Sequence, residues 1–230
     1  MAIRYNILPA LETAFFVAAA GLGTPAVAAP LWAWCADDAA CLDVSTQLVL
    51  ADALLVSPVL EAGVDSRMAY FPSGTFWPVG IAGDGTPGVL DKAIVLPSGG
   101  SRRVVSPVGA APPLHLRGGR VLPMYAGKAR GAGLTTSIVA QGPYRIVVAL
   151  AEGSASGRLF WDDGKQVKPA ESSASMLVRF EANSTGVAAV VERGGQLAND
   201  APTLLSVEVL GIPRRVEGVH LESGRKGAWI

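Results

Sequence analysis

Two pairs of adjacent aspartates are the side chains of this sequence best suited by type to hydrolytic chemistry. Asp37 and Asp38 lie between two cysteines, whereas Asp162 and Asp163 precede Gly164. Hydrolysis of a glycosidic bond requires two carboxyl groups that flank the bond. The sequence favours structural roles instead: the first pair enters a helix, whose N-terminus attracts carboxylates, and the second forms a hairpin turn. We therefore predict no catalytic residue in this chain.

Two glycine-containing segments are candidates for a nucleophile and for a cofactor site. The segment GSASG has Ala155 where the nucleophile motif G-x-S-x-G places serine. The segment GLGTPA, from Gly21 to Ala26, matches the loose dinucleotide pattern G-x-G-x-x-A. It follows a helical stretch, however, and Pro25 would lie inside the helix that should bind the phosphate. The residues therefore predict neither acyl-transfer chemistry nor a bound cofactor.

The cysteines and histidines are the candidate metal ligands. Cys35 and Cys41 are six positions apart without two further ligands at zinc-site spacing, which favours either a local disulfide or two unpaired thiols. His115 and His220 are far apart, and neither belongs to an H-x-x-x-H pattern. We expect each histidine to lie at the surface or in a hydrogen-bonded structural position, and we predict no metal site.

Three aromatic side chains could stack on a sugar ring, namely Phe76, Trp77 and Trp161. Single aromatics among short strands are usually core residues, and we expect that role here. The segment Asn183-Ser184-Thr185 is a glycosylation sequon, which has meaning only if the chain enters the secretory pathway.

Composition limits the classes of partner. The 230 residues include 19 basic and 19 acidic side chains, and half of the residues are hydrophobic. The balanced charge creates no field that would attract phosphates, so we expect no nucleic-acid partner. Glu12 interrupts the one apolar run that approaches the roughly 18 to 20 residues of a membrane span, so we predict no span. The length suffices for the core of one large or two ordinary domains.

The first thirty residues have some features of a secretory signal, with Arg4 near the start and an Ala-rich end. Pro9 and Glu12 lie inside the supposed apolar stretch, which favours a helix of the fold over a signal peptide, and no compartment is assigned. Pro9 predicts a kink or restart near Asn6. The predicted apolar face, at four-residue spacing and widened by Leu8, comprises Ile3, Ile7, Leu11 and Phe15.

The rest of the chain has the pattern of strands. The run ALLVSPVL, residues 53–60, is apolar on both faces and predicts a strand of a covered parallel sheet or barrel. Beyond it, glycine and proline recur every eight to twelve residues, which is typical of β-sandwiches. The predicted short strands are RMAYF, AIVLP, PLHLR, RVLPM, YRIVVAL, GRLFWDD, SMLVRFE, GVAAVVE and LLSVEVL. A glycine-rich connection from Ala126 to Ser137 divides them into two groups.

Five stretches, taken in order, resemble the C-terminal third of glycoside hydrolase family 31, the α-glucosidase and α-xylosidase family. They are IRYNILP, QLVLADALLVSPVL, AYFPSGTFW, PPLHLRGGRVLPM and GRLFWDDG, and their order and spacing carry the resemblance. The resemblance implies a mainly β chain. Residues 1–60 would be the last helix and strand of a (β/α)8 barrel, residues 61–137 a proximal β-sandwich, and residues 138–230 a distal one.

The same resemblance implies a function. In that family the aspartate nucleophile and the aspartate acid/base lie on earlier barrel strands, so neither matches a residue of this chain. The chain would be the C-terminal part of an α-glucosidase-like hydrolase that acts on an α-glucan or oligosaccharide through the barrel, and would be inactive alone. The alternative is a non-catalytic β-sandwich module that binds carbohydrate or a partner domain. No oligomeric state follows from either.

The chain departs from the family pattern at packing and loop positions. Ala51 stands where the family usually has glycine, and Pro78 follows the tryptophan of the expected GTFW turn. The segment AAP, residues 28–30, replaces a usual Arg-Pro pair, and ALETAFF replaces an aromatic-rich helix. These differences leave substrate preference open.

Overall fold

The computed structural model describes residues 2–22, 26–81, 87–90, 92–107, 109–126, 135–136, 142–162, 175–194 and 203–212. The helices are α1 (Ala2–Asn6), α2 (Leu8–Ala19), α3 (Leu31–Trp34) and α4 (Ala39–Leu42). The first strands are β1 (Ala28–Pro30), β2 (Leu48–Leu50), β3 (Leu54–Val56), β4 (Ser66–Phe71), β5 (Gly74–Ile81), β6 (Pro87–Val89), β7 (Ile94–Leu96) and β8 (Gly100–Val105). The others are β9 (Leu114–Arg117), β10 (Arg120–Tyr125), β11 (Tyr144–Ala149), β12 (Ser154–Asp162), β13 (Ser175–Asn183), β14 (Val187–Arg193) and β15 (Leu204–Leu210). The chain is mainly β, as predicted.

The strands form two large sheets and a two-stranded ribbon. The first sheet has the order β1-β2-β3-β9-β5-β6, with β7 also paired to β5, and all of its pairs are antiparallel. The second sheet has the order β14-β13-β12-β10-β11-β15 and is mixed, because β10–β12 and β11–β15 are parallel. Strands β4 and β8 form the ribbon.

One hydrophobic core joins the two sheets. It combines Leu54 and Leu116 of the first sheet with Leu122 and Val147 of the second, and Ile7 from the helical segment packs into it. The first and second sheets are therefore parts of one packed structure.

The central strands β10 and β11 of the second sheet are buried on both faces. Ile146 and Val148 belong to a second core cluster together with Leu159 and Phe180 of β12 and β13, whereas Val147 faces the core shared with the first sheet. Successive side chains of a strand point to opposite faces, so a strand covered on both must be apolar at nearly every position. This explains the continuous apolar run in YRIVVAL.

Helix α2 closes a gap in the second sheet. Among the described residues, strands β10 and β12 pair at Arg120 and Ser156 alone, so the later part of β12 has no described strand beside it on that side. There the main-chain N–H of Phe160 donates to Thr13 Oγ1 of α2 at 2.8 Å, while the Thr13 hydroxyl donates to the carbonyl of Pro9 at 2.6 Å. The helix thus binds the open strand edge with a side chain.

The expected helix break is confirmed, but the buried face differs from the prediction. The first helix ends at Asn6 and α2 begins at Leu8, with Pro9 in its first turn, where a missing N–H costs nothing. The break shifts the phase of the apolar stripe. Phe15 is 64% exposed, whereas Phe16 is buried and stacks on the Phe160 ring with 3.8 Å between centroids.

The prediction for the apolar run at residues 53–60 is half right. Strand β3 is buried at all three positions, as expected, but it covers residues 54–56 and pairs antiparallel with both β2 and β9. Leu60 is 67% exposed. An antiparallel strand that is covered on both faces is as apolar as a parallel one, so the composition of this run could not distinguish the two arrangements. The barrel remnant stays a prediction.

All nine predicted short strands are present, as β4, β7 and β9–β15. The expected GTFW turn is wrong, because these residues begin β5, which continues through Pro78. The division into residues 61–137 and 138–230 also stays a prediction. Pairing crosses it, since β10 and β11 lie side by side, and most of the glycine-rich connection lies outside the described residues.

Replacing Thr13 tests the closure of the strand edge. Thr13→Val keeps the shape but removes the acceptor, which leaves the Phe160 N–H buried without a partner, so we expect a loss of about 1–3 kcal/mol in the free energy of unfolding. Thr13→Ser retains the hydroxyl and should lose less. Urea denaturation of both variants measures the difference, and a loss in Thr13→Val no larger than that in Thr13→Ser would contradict the dominant role given to the hydrogen bond.

Candidate functional site

The acidic loop after α3 is organised by a disulfide and a helix cap. Cys35 and Cys41 are disulfide-bonded, which resolves the two alternatives. Asp38 precedes α4, and its Oδ1 accepts the N–H of Ala40 at 3.0 Å, so the expected helix entry is confirmed. Its other oxygen accepts the Tyr70 hydroxyl at 2.6 Å, and this bond raises the pKa of Tyr70 to about 12. Asp38 is therefore engaged in structural contacts.

Asp52 connects this region to the second sheet. The indole N–H of Trp34 donates to Asp52 Oδ1 at 2.7 Å, and Arg120 forms an ion pair with the other carboxylate oxygen. Arg120 Nε also donates to the main-chain carbonyl of Asp52 at 3.0 Å. The Arg117 guanidinium lies 4.6 Å from the centre of the Trp34 ring. We call these four side chains the Asp52 network.

A left-handed turn between β2 and β3 positions the Asp52 carboxylate. Ala51 and Asp52 have φ angles of +51° and +54°. Aspartate adopts this conformation with several-fold greater ease than most residues, whereas alanine does so at a cost of roughly 1–2 kcal/mol. Sequence reasoning missed this network, although the glycine-to-alanine departure at position 51 marked its turn.

Beside the Asp52 network lies a cleft of about 550 Å³, which we call the Trp34 cleft. The disulfide loop forms one wall, with Trp34 and Asp37, and two Pro-Ser turns form another. The lining residues are Trp34, Cys35, Asp37, Asp38, Ala39, Pro72, Ser73, Pro97, Ser98 and Arg117. Within the described part of the chain, the side chains of Asp37, Ser73 and Ser98 form no hydrogen bond with another residue.

A second cleft of about 330 Å³ separates α2 from β10 and β12. Its charged side chains are all held in ion pairs. Arg158 and Arg179 both bind Glu192, at 2.8 and 2.9 Å, and Arg179 also pairs with Glu181, while Arg120 is held by the Asp52 network. None of the described residues that line this cleft is aromatic. It is therefore less suited to a ligand than the Trp34 cleft.

The second predicted aspartate pair is only partly described. Asp162 is the last residue of β12 and pairs in register with Ser175, while residues 163–174 of the expected hairpin lie outside the described residues. Desolvation, and next the nearby charge of Asp162, raise the pKa of Glu12. Neither carboxyl group lines the Trp34 cleft or the second cleft.

The histidine expectation is wrong for His115, which is buried on β9 and 5% exposed. Its ring lies edge-on to Phe71 with centroids 4.8 Å apart, and its Nδ1 atom has no hydrogen-bond partner among the described residues. Burial lowers the pKa of His115 to about 4, so the ring is neutral near pH 7. His220 lies outside the described residues.

The remaining candidates have structural positions. Phe76 and Trp77 are core residues, as predicted, and Trp161 is half-buried against the second core cluster. In the sequon, Asn183 Oδ1 accepts the Thr185 N–H at 2.8 Å within the turn between β13 and β14. The dinucleotide-like segment is described only at its ends, since residues 23–25 are outside the described set.

Clusters of metal-ligating side chains, and helices long and apolar enough to span a membrane, are both absent from the described part of the chain. Nowhere in it do three histidine, cysteine, aspartate or glutamate side chains group closely enough to hold a metal ion. Its helices are all too short or too polar to cross a lipid bilayer.

Known proteins are similar to the part of the chain that contains the Asp52 network and the Trp34 cleft. A model described as the glycosyl hydrolase family 31 C-terminal domain matches residues 23–122, which contain them entirely. The chain is 34% identical over 218 residues to the lysosomal alpha-glucosidase of Rattus norvegicus, covering 89% of this chain and 22% of that protein. It is 31% identical over 228 residues to an alpha-glucosidase of Aspergillus niger, covering 96% and 21%. The chain belongs to glycosyl hydrolase family 31.

Solved structures share its fold. The glucosidase II alpha subunit bound to alpha3-Glc2 has a TM-score of 0.70 at 21% identity, over 90% of this chain and 22% of that one. A family 31 alpha-xylosidase from Xanthomonas citri has a TM-score of 0.63 at 21% identity, over 84% and 19%. This member of family 31 corresponds to the C-terminal region of the family and spans about a fifth of the length of these relatives.

Substitutions at Asp52 test the network. Asp52→Ala removes the partner of Trp34 and Arg120 and places alanine at a left-handed φ, so we expect a loss of about 1–3 kcal/mol in unfolding free energy after allowing for the partly exposed ion pair. Asp52→Asn keeps an acceptor and tolerates the turn, and it should lose less than about 1 kcal/mol. Urea denaturation followed by tryptophan fluorescence measures both. Equal destabilisation would contradict the role given to the indole bond.

His115 predicts a pH dependence of stability. Because its folded pKa of about 4 lies below the unfolded value of 6.5, the unfolded state binds more protons between these pH values. Its contribution is complete above pH 6.5 and is lost as pH falls towards 4, by about 3 kcal/mol. His115→Phe should reduce this slope, whereas Lys92→Gln, at an exposed side chain of a type that does not titrate in this range, should retain it. Unfolding measured across this pH range would contradict the assignment if His115→Phe kept the wild-type slope.

Proposed function

We propose that this chain is the accessory C-terminal region of an α-glucosidase-like hydrolase, which cleaves α-linked glucosyl bonds in an oligosaccharide or glucan through a barrel domain. The observation that carries the proposal is the similarity to proteins named alpha-glucosidase over 89–96% of the chain. The chain covers only 21–22% of those proteins, so the activity belongs to the longer polypeptide.

The surface of the helical segment supports an accessory role. Phe15 of α2, Trp32 of α3 and Leu42 of α4 are each more than half exposed, at 64, 51 and 55%. All three come from the first 42 residues, which the resemblance assigns to the barrel. Exposed large apolar side chains are typical of a surface that contacts another domain where they form one patch, and we infer such a patch for this segment. The role of the region is then to cover the side of the barrel.

The carboxylates of the two clefts support the proposal that the chain alone does not turn over substrate. Asp37 and Asp38 come from one loop and therefore do not flank a bound sugar, as a glycosidase pair must. Asp52 and Glu181 in the second cleft are each paired with an arginine. The catalytic aspartates of the family match no position of this sequence.

The alternative of a binding module that uses Phe76, Trp77 or Trp161 has less support. The first two side chains are buried in the core, and the third is half-buried and lines neither of the two clefts, so none of them forms the wall of a cleft that could hold a sugar.

An exchange experiment tests the accessory role. We expect no hydrolysis of p-nitrophenyl α-glucoside by this chain alone. A chimera of the rat lysosomal alpha-glucosidase that carries this chain in place of the matched 218 residues should hydrolyse it, because the barrel side is covered again. The same relative without that region is the control and should be inactive or insoluble.

Two results would overturn parts of the proposal. Hydrolysis by this chain alone, abolished by an active-site inhibitor, would contradict the absence of catalytic residues. A soluble, folded chimera without activity would contradict the accessory role.

A further inference from the structure

We infer that the Trp34 cleft is a sugar-binding site in its own right, which takes one or two α-linked glucose units without cleaving them. The inference rests on the proposed function only for the choice of glucose. That the ligand is a sugar follows from the side chains that line the cleft.

Three polar side chains that lack a hydrogen-bond partner among the described residues line the cleft. They are Asp37 on one wall and Ser73 and Ser98 on another. A carboxylate accepts hydrogen bonds, whereas a serine hydroxyl both donates and accepts. Together they can bind several hydroxyl groups at once. Few small ligands apart from sugars present hydroxyls in that density.

The Trp34 ring is held in a fixed position beside these side chains. The Trp34 indole is bound to Asp52 at 2.7 Å, its ring contacts the Arg117 guanidinium, and the neighbouring Cys35 is tied to Cys41. A ring fixed in this way loses little conformational entropy when a ligand binds. With the exposed Pro97, the solvent-facing part of the half-buried Trp34 ring offers apolar surface for the C–H face of a pyranose.

The charge and the volume of the cleft limit the kind of ligand that it can bind. Asp37 and Asp38 outweigh Arg117 by one negative charge, which disfavours phosphates and other anions. Arg117 already lies at the Trp34 ring, which disfavours a cation there. A neutral polyhydroxylated ring remains. The volume of about 550 Å³ falls within the usual range for small-ligand sites and accommodates a disaccharide.

The site is separate from the proposed catalysis. Asp38 is bonded to Ala40 and Tyr70, Asp37 belongs to the same loop, and the described lining residues include no other carboxylate. It can hold a sugar but lacks the pair required to hydrolyse one. Such a site would keep an α-glucan near the enzyme.

Fluorine NMR of the chain labelled with 5-fluorotryptophan tests the inference. The sequence has five tryptophans, and the Trp34 signal is identified by its loss in Trp34→Phe. We expect maltose to shift this signal saturably with a Kd in the millimolar range, and Asp37→Ala to weaken binding about fivefold or more. Asp37 has no described hydrogen-bond partner, so this variant should fold normally.

Controls separate the possible outcomes. Trp32→Ala alters an exposed tryptophan that does not line the cleft and should leave the affinity unchanged. Glucose 6-phosphate should bind more weakly than glucose. The inference is overturned if maltose up to about 50 mM leaves the Trp34 signal unmoved, if Asp37→Ala binds as wild type, or if choline binds more tightly than maltose. None of these results depends on hydrolysis, so the exchange experiment remains an independent test of the proposed function.

Discussion

The structure depends on how one open strand edge is closed. Strands β10 and β12 approach at Gly157, where a Cβ atom would lie 2.5 Å from the Val121 carbonyl oxygen, so only glycine permits the contact. Beyond this point the strands separate and the N–H groups of β12 need other partners. Thr13 supplies one, and the stacked rings of Phe16 and Phe160 exclude water beside it. Helix α2 therefore takes the place of a neighbouring strand along this part of β12.

The same junction positions the candidate site. Arg120 opposes Ser156 at the single β10–β12 pair, and from there its guanidinium reaches Asp52 on the turn between β2 and β3. Asp52 in turn binds Trp34, which forms a wall of the Trp34 cleft. The geometry of the cleft thus follows from the meeting of the two sheets and the helix, whereas the disulfide shapes the local loop.

The sequence predicted what local patterns determine. The nine short strands and the helix restart before Pro9 follow from alternation, turn residues and the geometry of proline. The family and its region also followed from the order of five stretches. Long-range packing was not predictable in this way: the exposure of Phe15, the burial of His115 and the antiparallel partners of β3 depend on which surfaces meet. The Asp52 network joins residues 18 and 68 positions apart, which no motif encodes.

Ala51 shows how a departure from a family pattern can be tolerated. Its left-handed φ of +51° costs roughly 1–2 kcal/mol relative to glycine. The added methyl group is partly buried against the core that joins the two sheets, and since full burial of such a group contributes about 0.8 kcal/mol, partial burial offsets only part of the cost. The next residue of the turn, Asp52, is held by Trp34 and Arg120. These contacts outside the turn keep Asp52 in position without the glycine.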